Sequence, residues 1–559
     1  MLVGSLALAA SLSGIRNLYV QDDIAIIARN PLLHDLRGIG RIFTESYWPP
    51  PAIPSTYRPL SSLTFALQWV AGGGSPIAFR LASYLLYALT AALVFRLARV
   101  RLPLATAAGC AALFAVHPVH VEAVAVAVNQ SELWVGLLCC LATTVYLQAR
   151  AEGGPLTGKT QLLLAGLYLA ACLFKETGLV LPGLLLAAEL FLVPATEPLR
   201  TRISQGRQLL LMLTLVALAS YWLRTAVLSG NLVGVHAAEG LLGLSMGQRA
   251  LTMLAVVPHW VRLLFWPAHL RADYSPGVIV AQTAWGAAHW FGLVLLLATV
   301  VIAVAARRRA PVITFGIAWC AIALFPVHNV LVPTGIVLAE RTLFLPSIGA
   351  MLAVGGAGAL LLEGAPPRTR RLLAAATGAL LVLGMVRSIA RHPVWQDTLT
   401  LWYRTANEDA PRSFRAHAAL AEQYFSVGQE HMGEQEYRLA IQFAPPMLTG
   451  LPIQLADRLR NRSFCYPAAQ LYRRVVELEP ENSRARVSLV ACLVNLGQYR
   501  EAIFHARMGI SFDWARDRFQ RAFATADSAQ RVSAPPGTVR VSVAAGDPVG
   551  EFMTIGDKK

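Results

Sequence analysis

The sequence predicts an all-α protein: a polytopic membrane helix bundle over residues 1–392, stacked helix pairs over 393–513, and a flexible tail over 514–559. Three observations carry that prediction. Of 559 residues, 55% are apolar and only 14% are charged, whereas a soluble domain carries about 25% charged residues. Apolar runs close to membrane length recur through the first 390 residues or so. Beyond Arg391 the composition turns charged and amphipathic. The net charge of +16 comes from arginines that punctuate apolar segments, a membrane pattern that argues against a nucleic-acid partner. Seven cysteines in this length make no disulfide scaffold, and no two show a zinc-ligand spacing.

A bilayer core of about 30 Å takes about 20 apolar residues per helix. Such runs lie near 2–19, 79–98, 103–116, 132–149, 160–174, 177–193, 208–227, 249–267, 286–306, 311–327, 342–362 and 371–390. The first begins without a basic leader and precedes an acidic stretch with no small-residue cleavage site, so it reads as an uncleaved span. Basic clusters at Arg96/Arg99/Arg101, Arg150/Lys159, Arg200/Arg202/Arg207, Arg307–Arg309 and Arg368/Arg370/Arg371 all belong in the cytoplasm by the positive-inside rule. Alternation satisfies this if 249–270, with Pro258, His259, Arg262, Trp266 and Pro267, lies in the interface. About eleven crossings follow, with the N-terminus inside and the C-terminus outside. The remaining polar motifs then converge on the outer face, in loops that include 20–58 and 229–285.

After the bundle, Pro411, Pro445 and Pro480 are separated by 34 and 35 residues. Each interval holds two helical stretches with alanines and aromatics in similar places, such as Ala416, Tyr424 and Ala440, then Ala485, Leu493, Tyr499 and Ala502. About three units of this period resemble tetratricopeptide repeats, which stack into a concave binding surface. The segment from about 520 onward is rich in small residues, Pro and Gly and reads as loose.

The motifs that carry chemistry lie on the outer side. Asp22 and Asp23 follow the first span; an ionised Asp at the bilayer centre costs about 2.5–3.5 kcal/mol, which places them at or beyond the interface. There a carboxylate deprotonates an acceptor hydroxyl or holds a metal, or is simply a solvated loop start. His117, His120 and Glu122 stand in HPVHVE, but Pro118 separates the histidines and the spacing is no recognised zinc helix. The bland alternative is capping and packing. Lys175 and Glu176 sit at a helix junction as an ion pair at the membrane edge, unless the lysine snorkels. Glu340 and Arg341 precede another span, and Arg suits bidentate phosphate recognition.

Taken together, the order DD, YRPL, HPxHxEAV, KETG, DYS and AERxLxLPSxG, followed by the repeats, resembles the transmembrane and tetratricopeptide repeat-containing O-mannosyltransferases. These are part of the GT-C superfamily of membrane glycosyltransferases. The resemblance covers the chain to about residue 513. It implies an active site on the outer face and inverting transfer of a sugar from a polyprenyl-phosphate donor. The catalytic base maps onto Asp22 or Asp23. Lys175 and Arg341, with Arg58 and Arg224, are the expected partners of the donor phosphate. His117, His120, Glu122, Glu176 and Glu340 are expected around the substrate. The leaving group is already an anion, so no strong acid is needed and no cofactor is required; a divalent metal is possible but not indicated.

The sequence also departs from the family. Animal members usually carry a Gly-Arg pair where this chain reads Asn129-Gln130-Ser131, and an Asn and a His where it reads Ser83 and Tyr87. Those departures leave the donor contacts and the sugar open. Lysine occurs only at 159, 175, 558 and 559, an arginine bias of GC-rich bacterial genes, so the expected location is the inner membrane with the repeats on the periplasmic side. The expected partners are a lipid-linked sugar donor and a protein or peptide acceptor held by the repeats. Two rivals differ in class. A non-catalytic membrane-anchored scaffold predicts that the outer carboxylates are replaceable, and a lipid-linked sugar transporter predicts internal repeats of spans, which are not seen in the sequence.

Overall fold

A computed structural model describes the chain except residues 1, 53, 152–153, 195–196, 229–237, 513–514 and 533–559. The described residues are helical or irregular, with no strand among them. The chain divides into two compact units, residues 1–411 and 412–559. The boundary falls after Pro411 rather than at the expected 392, so the short turns of 392–411 stay with the membrane unit.

Every apolar run becomes a helix. The first unit contains α1 (Leu2–Ser11), α2 (Pro59–Gly72), α3 (Pro76–Arg99), α4 (Leu104–Ala115), α5 (Val121–Ala125), α6 (Gln130–Ala149), α7 (Gly158–Phe174) and α8 (Leu181–Phe191). It continues with α9 (Leu199–Val227), α10 (Met246–Phe265), α11 (Ala287–Ala306), α12 (Pro311–Leu324), α13 (Phe344–Leu362), α14 (Pro367–Arg391) and α15 (Thr398–Arg404). Starts follow local chemistry: the Ser75 hydroxyl accepts from the Ile77 N–H ahead of α3, with Pro76 at its first position. At α10, Ser245 and Gln248 form a reciprocal capping box.

Among the described residues, six helical segments are long and apolar enough to cross a membrane, at 76–99, 127–149, 204–227, 287–306, 340–362 and 367–395. A seventh forms if 104–115 and 118–125, bent by 43°, count as one span. This is a multi-pass membrane protein. The apolar helices 2–14, 158–174 and 311–327 are shorter. They pack into the same core as the long spans. In α10 the buried residues Met253, Val256, Val257, Trp260, Leu263 and Leu264 lie on one face, while Pro258 interrupts its hydrogen-bond ladder. Helices α12 and α13 pack closely because Gly316 and Gly349 face one another: a Cβ on either would lie 2.4 Å from the other's carbonyl oxygen.

The second unit holds three helix pairs: α16 (Phe414–Ser426) with α17 (Glu430–Phe443), α18 (Gly450–Asn461) with α19 (Cys465–Leu478), and α20 (Ser483–Asn495) with α21 (Tyr499–Ile510). Each helix packs on the next, and Ala416, Tyr424, Ala440, Ala485, Leu493 and Ala502 are buried. The expected flexible tail over 514–559 needs a correction. Residues Arg516–Val532 form α22, which packs on α20 and α21 through Phe519, Ala522, Ala526 and Ala529. Those side chains recur at helical spacing, so the segment has an apolar stripe to bury. Residues 533–559 of that expectation lie outside the described residues.

Candidate active site

The two adjacent aspartates are not equivalent. Gln21 adopts a left-handed conformation, φ 49°, uncommon for a non-glycine residue and frequent at functional turns. The turn sends Asp23 inward. Its carboxylate accepts the N–H groups of Ala127 (3.1 Å) and Val128 (2.9 Å) and lies 3.5 Å from Arg80. Both side chains are fully buried. Burial pushes the Asp23 carboxyl above its usual range, against the pull of Arg80 and of the donated N–H groups. Asp23 is thus a clamp between the loop that follows α1 and the start of the helical segment at 127–149. Asp22 is exposed, and it is close enough for its charge to act on Tyr47 and Arg341.

Around Asp22 the loops bring together residues that are far apart in the chain. Arg58 donates from Nε (3.1 Å) and Nη2 (2.9 Å) to Glu176. Arg224, at the end of α9, donates from Nη1 to the other Glu176 oxygen at 2.6 Å and from Nη2 to the Ser55 carbonyl. Burial favours a neutral Glu176, but the two guanidinium groups outweigh it and hold the carboxyl well below its usual range. Arg58 also lies over the Tyr47 ring, 5.0 Å from its centroid.

Lys175 does not pair with its neighbour Glu176, as the sequence reading expected. The backbone at Lys175 is extended, so consecutive side chains point to opposite sides, and its ammonium meets Glu132 of α6 instead. Desolvation lowers the Lys175 pKa, with Glu132 working in the opposite direction. Arg341 pairs with Glu122, which also accepts the Arg341 backbone N–H at 2.9 Å. Lys175, Arg58 and Arg341 each lie within the electrostatic reach of Glu132, so these pairs form one cluster. Glu132 is not among the candidate site residues read from the sequence. The signal missed was its position at the first turn of an apolar span, where a carboxylate needs a cation.

Of the remaining predicted residues, Glu340 lies within the electrostatic reach of Glu122, while the two histidines are engaged in contacts of their own. His120 is buried with both ring nitrogens engaged, Nδ1 with the Tyr87 hydroxyl (2.9 Å) and Nε2 with Ser347 (2.7 Å). His117 accepts from the Val119 N–H and contacts the Leu264 carbonyl at 3.0 Å. These are packing and capping contacts. Glu340 is fully buried; it accepts the Arg271 N–H and the Tyr274 hydroxyl, the latter at 2.8 Å, while its Oε2 has no partner. Among the described residues no three His, Cys, Asp or Glu side chains converge as metal ligands.

No family model matches the chain. Protein O-mannosyl-transferase TMTC3 of Mus musculus is 23% identical over 555 residues, covering 86% of this chain and 60% of the relative. Protein O-mannosyl-transferase TMTC4 of Homo sapiens is 25% identical over 480 residues, covering 77% and 64%. Protein O-mannosyl-transferase TMTC1 of Homo sapiens is 27% identical over 488 residues, covering 76% and 53%. The chain is similar to these TMTC proteins. The resemblance read from its motifs holds across most of its length, while the chain spans about 60% of the length of TMTC3. The Tyr87 hydroxyl, which the motif comparison singled out, bridges His120 and the Phe114 carbonyl.

Proposed function

We propose that the protein is a membrane glycosyltransferase that moves a sugar from a polyprenyl-phosphate donor to an acceptor hydroxyl on a protein, with inversion, at the outer face. Mannose is the sugar named for its relatives. The observation that carries the reading is the contrast at the first loop: Asp23 is consumed by Arg80 and two backbone N–H groups, while Asp22 is exposed beside Tyr47 and Arg341. Asp22 is the general base that takes the acceptor proton. Arg341 and Lys175, held by Glu122 and Glu132, face the charge that develops on the leaving phosphate. Arg58 and Arg224, fixed on Glu176, complete the cationic wall, and no metal is called for.

The topology that serves this chemistry has about eleven crossings. The shorter apolar helices α1, α7, α8 and α12 complete the long spans, and α10 lies in the interface with its polar face outward. The three helix pairs are tetratricopeptide repeats on the extracytoplasmic side, where they present the protein acceptor.

The test is donor turnover by purified protein in nanodiscs, offered a panel of polyprenyl-phosphate sugars and followed by lipid phosphate release. Loss of release in Asp22→Asn with an unchanged melting profile supports the transferase. Equal release from wild type and Asp22→Asn, or none from any donor, favours a scaffold.

A further inference from the structure

Two cysteines meet in the second unit across the boundary between two helix pairs. Cys465 is the first residue of α19, and Cys492 lies in the last turn of α20, which ends at Asn495. The two helices belong to neighbouring pairs and pack on one another, so the start of one meets the end of the next. The two thiols are hydrogen-bonded to each other, and the Asn495 amide donates to Cys465 Sγ at 3.6 Å. Both side chains belong to the apolar core of the unit. Cys492 is fully buried, while Cys465 keeps 8% of its surface exposed.

A buried thiol is most often a small hydrophobe, and that accounts for either cysteine alone. It does not account for their contact. Two thiols already in hydrogen-bond contact need a small approach of the sulfurs, not a rearrangement of helices, to reach disulfide geometry. The pair is also polarised. The hydrogen bond from Cys492 pulls the Cys465 thiol below its usual range, against burial and aided by Asn495 and Arg460, and a helix N-terminus acts in the same direction. The Cys492 thiol, the donor, is pushed up.

We infer that Cys465 and Cys492 form a disulfide that staples the second helix pair to the third. The inference rests on the proposed extracytoplasmic placement of the repeats, the side on which disulfides persist. The Cys465 thiolate attacks one sulfur of an external disulfide, carried by a thiol–disulfide oxidoreductase or a small molecule, and expels the other as a thiol. The Cys492 sulfur then attacks the Cys465 sulfur of this mixed disulfide and expels the second thiol. Two electrons and two protons pass to the external disulfide, and one S–S bond remains in the protein. Each pair in such a stack contacts only its neighbours, so a crosslink at this boundary holds the stack where it would otherwise open.

The full-length protein in nanodiscs can be equilibrated with reduced and oxidised glutathione in stepped ratios, then denatured, trapped with a maleimide and read by peptide mass spectrometry. Wild type should give a linked peptide joining Cys465 and Cys492. Cys492→Ser should accumulate glutathione at Cys465, while Cys465→Ser should leave the buried Cys492 unmodified. A phosphine reductant should lower the unfolding temperature of the second unit by about 10 °C in wild type, the scale for a loop of this length, and should not move that of Cys492→Ser. No linked peptide at any ratio, or a linked peptide with no effect of reductant on unfolding, overturns the inference. The same trapping in intact cells tests the placement. Free thiols there, with linkage in the buffer, overturn the native disulfide by faulting the extracytoplasmic side rather than the pairing of the cysteines. Linkage in cells together with no turnover of any donor keeps the staple and discards the transferase.

Discussion

Two Arg–Glu–Arg clusters stand at opposite ends of the same helical stretch, and they differ in one respect. Glu176, before α8, is held by Arg58 and Arg224; Glu189, near the end of α8, is held by Arg150 and Arg202. The two glutamates are separated by roughly 20 Å of helix. Helix α9 supplies one arginine to each, Arg202 from its first turns and Arg224 from its last. The span within α9 is only 6% buried, so apolar packing holds it weakly and the arginines pin it at both ends. At Glu189 the set is closed: the Tyr146 hydroxyl adds a contact at 2.7 Å, and the carboxylate is 10% exposed. At Glu176 the carboxylate is 31% exposed, and its partner Arg58 lies over the Tyr47 ring. The same three residue types make a structural lock at one end of α8 and the wall of a proposed site at the other. Solvent access and neighbouring charges, not composition, separate the two roles.

The sharpest way to break that comparison is at the first loop, where the largest effect is expected. Asp22→Asn should lower donor turnover by about 10²- to 10⁴-fold, the range for a lost general base, and leave thermal unfolding unchanged. Asp23→Ala should do the reverse in kind. It strands Arg80 and two N–H donors in a buried site, a loss of about 3–5 kcal/mol, read as a lower melting temperature in the same nanodiscs. If Asp22→Asn unfolds the protein, or Asp23→Ala leaves it as stable as wild type, the division of labour drawn here is wrong.

Next in size are the two clusters themselves. Glu189→Gln leaves two guanidinium groups facing a neutral amide in a nearly closed site, and should cost about 3–5 kcal/mol while the folded fraction keeps its turnover. Glu176→Gln, with water within reach, should cost about 1–2 kcal/mol, between a surface pair and a buried one, yet weaken donor turnover. Equal stability losses with no effect on turnover would make the outer cluster a second lock. The sign of the pH dependence follows from the depressed carboxyl of Glu176. Its stabilising contribution is present above the unfolded value of about 4.3. It is lost only as pH falls through the lower folded value. Melting curves between pH 7 and 5 should therefore show no loss that depends on Glu176.

Much of this was legible in sequence, and the rest was not for identifiable reasons. Each apolar run is a helix because run length and composition are local properties. The count of long spans fell short of the runs because several runs, such as 160–174 and 177–193, are themselves short and form helices of only 17 and 11 residues on either side of the polar turn at Lys175–Gly178. Asp22 and Asp23 looked alike because what separates them is the left-handed turn at Gln21 and N–H donors about a hundred residues away. Lys175 and Glu176 looked like a pair because they are adjacent, whereas extended backbone at Lys175 directs them apart. Helix α22 was readable: the spacing of Phe519, Ala522, Ala526 and Ala529 gives a buried stripe, but composition drew attention first.

The smallest expected effect sharpens the comparison from the other side. In the second unit, ion pairs form within a helix or between neighbouring helices, and water reaches most of them. Arg438 donates to Glu434 one turn earlier in α17, with the two side chains 53% and 24% exposed. An i, i+4 pair of this kind contributes about 0.3–0.5 kcal/mol, less at high salt, because solvation already compensates both charges. Arg438→Ala should therefore shift thermal unfolding of the second unit by no more than that, and the shift should vanish in about 1 M salt. Glu189→Gln should keep most of its cost in the same buffer, since buried charges are screened far less. A salt-insensitive loss at Arg438 as large as the loss at Glu189 would mean that solvent access does not set the worth of these pairs.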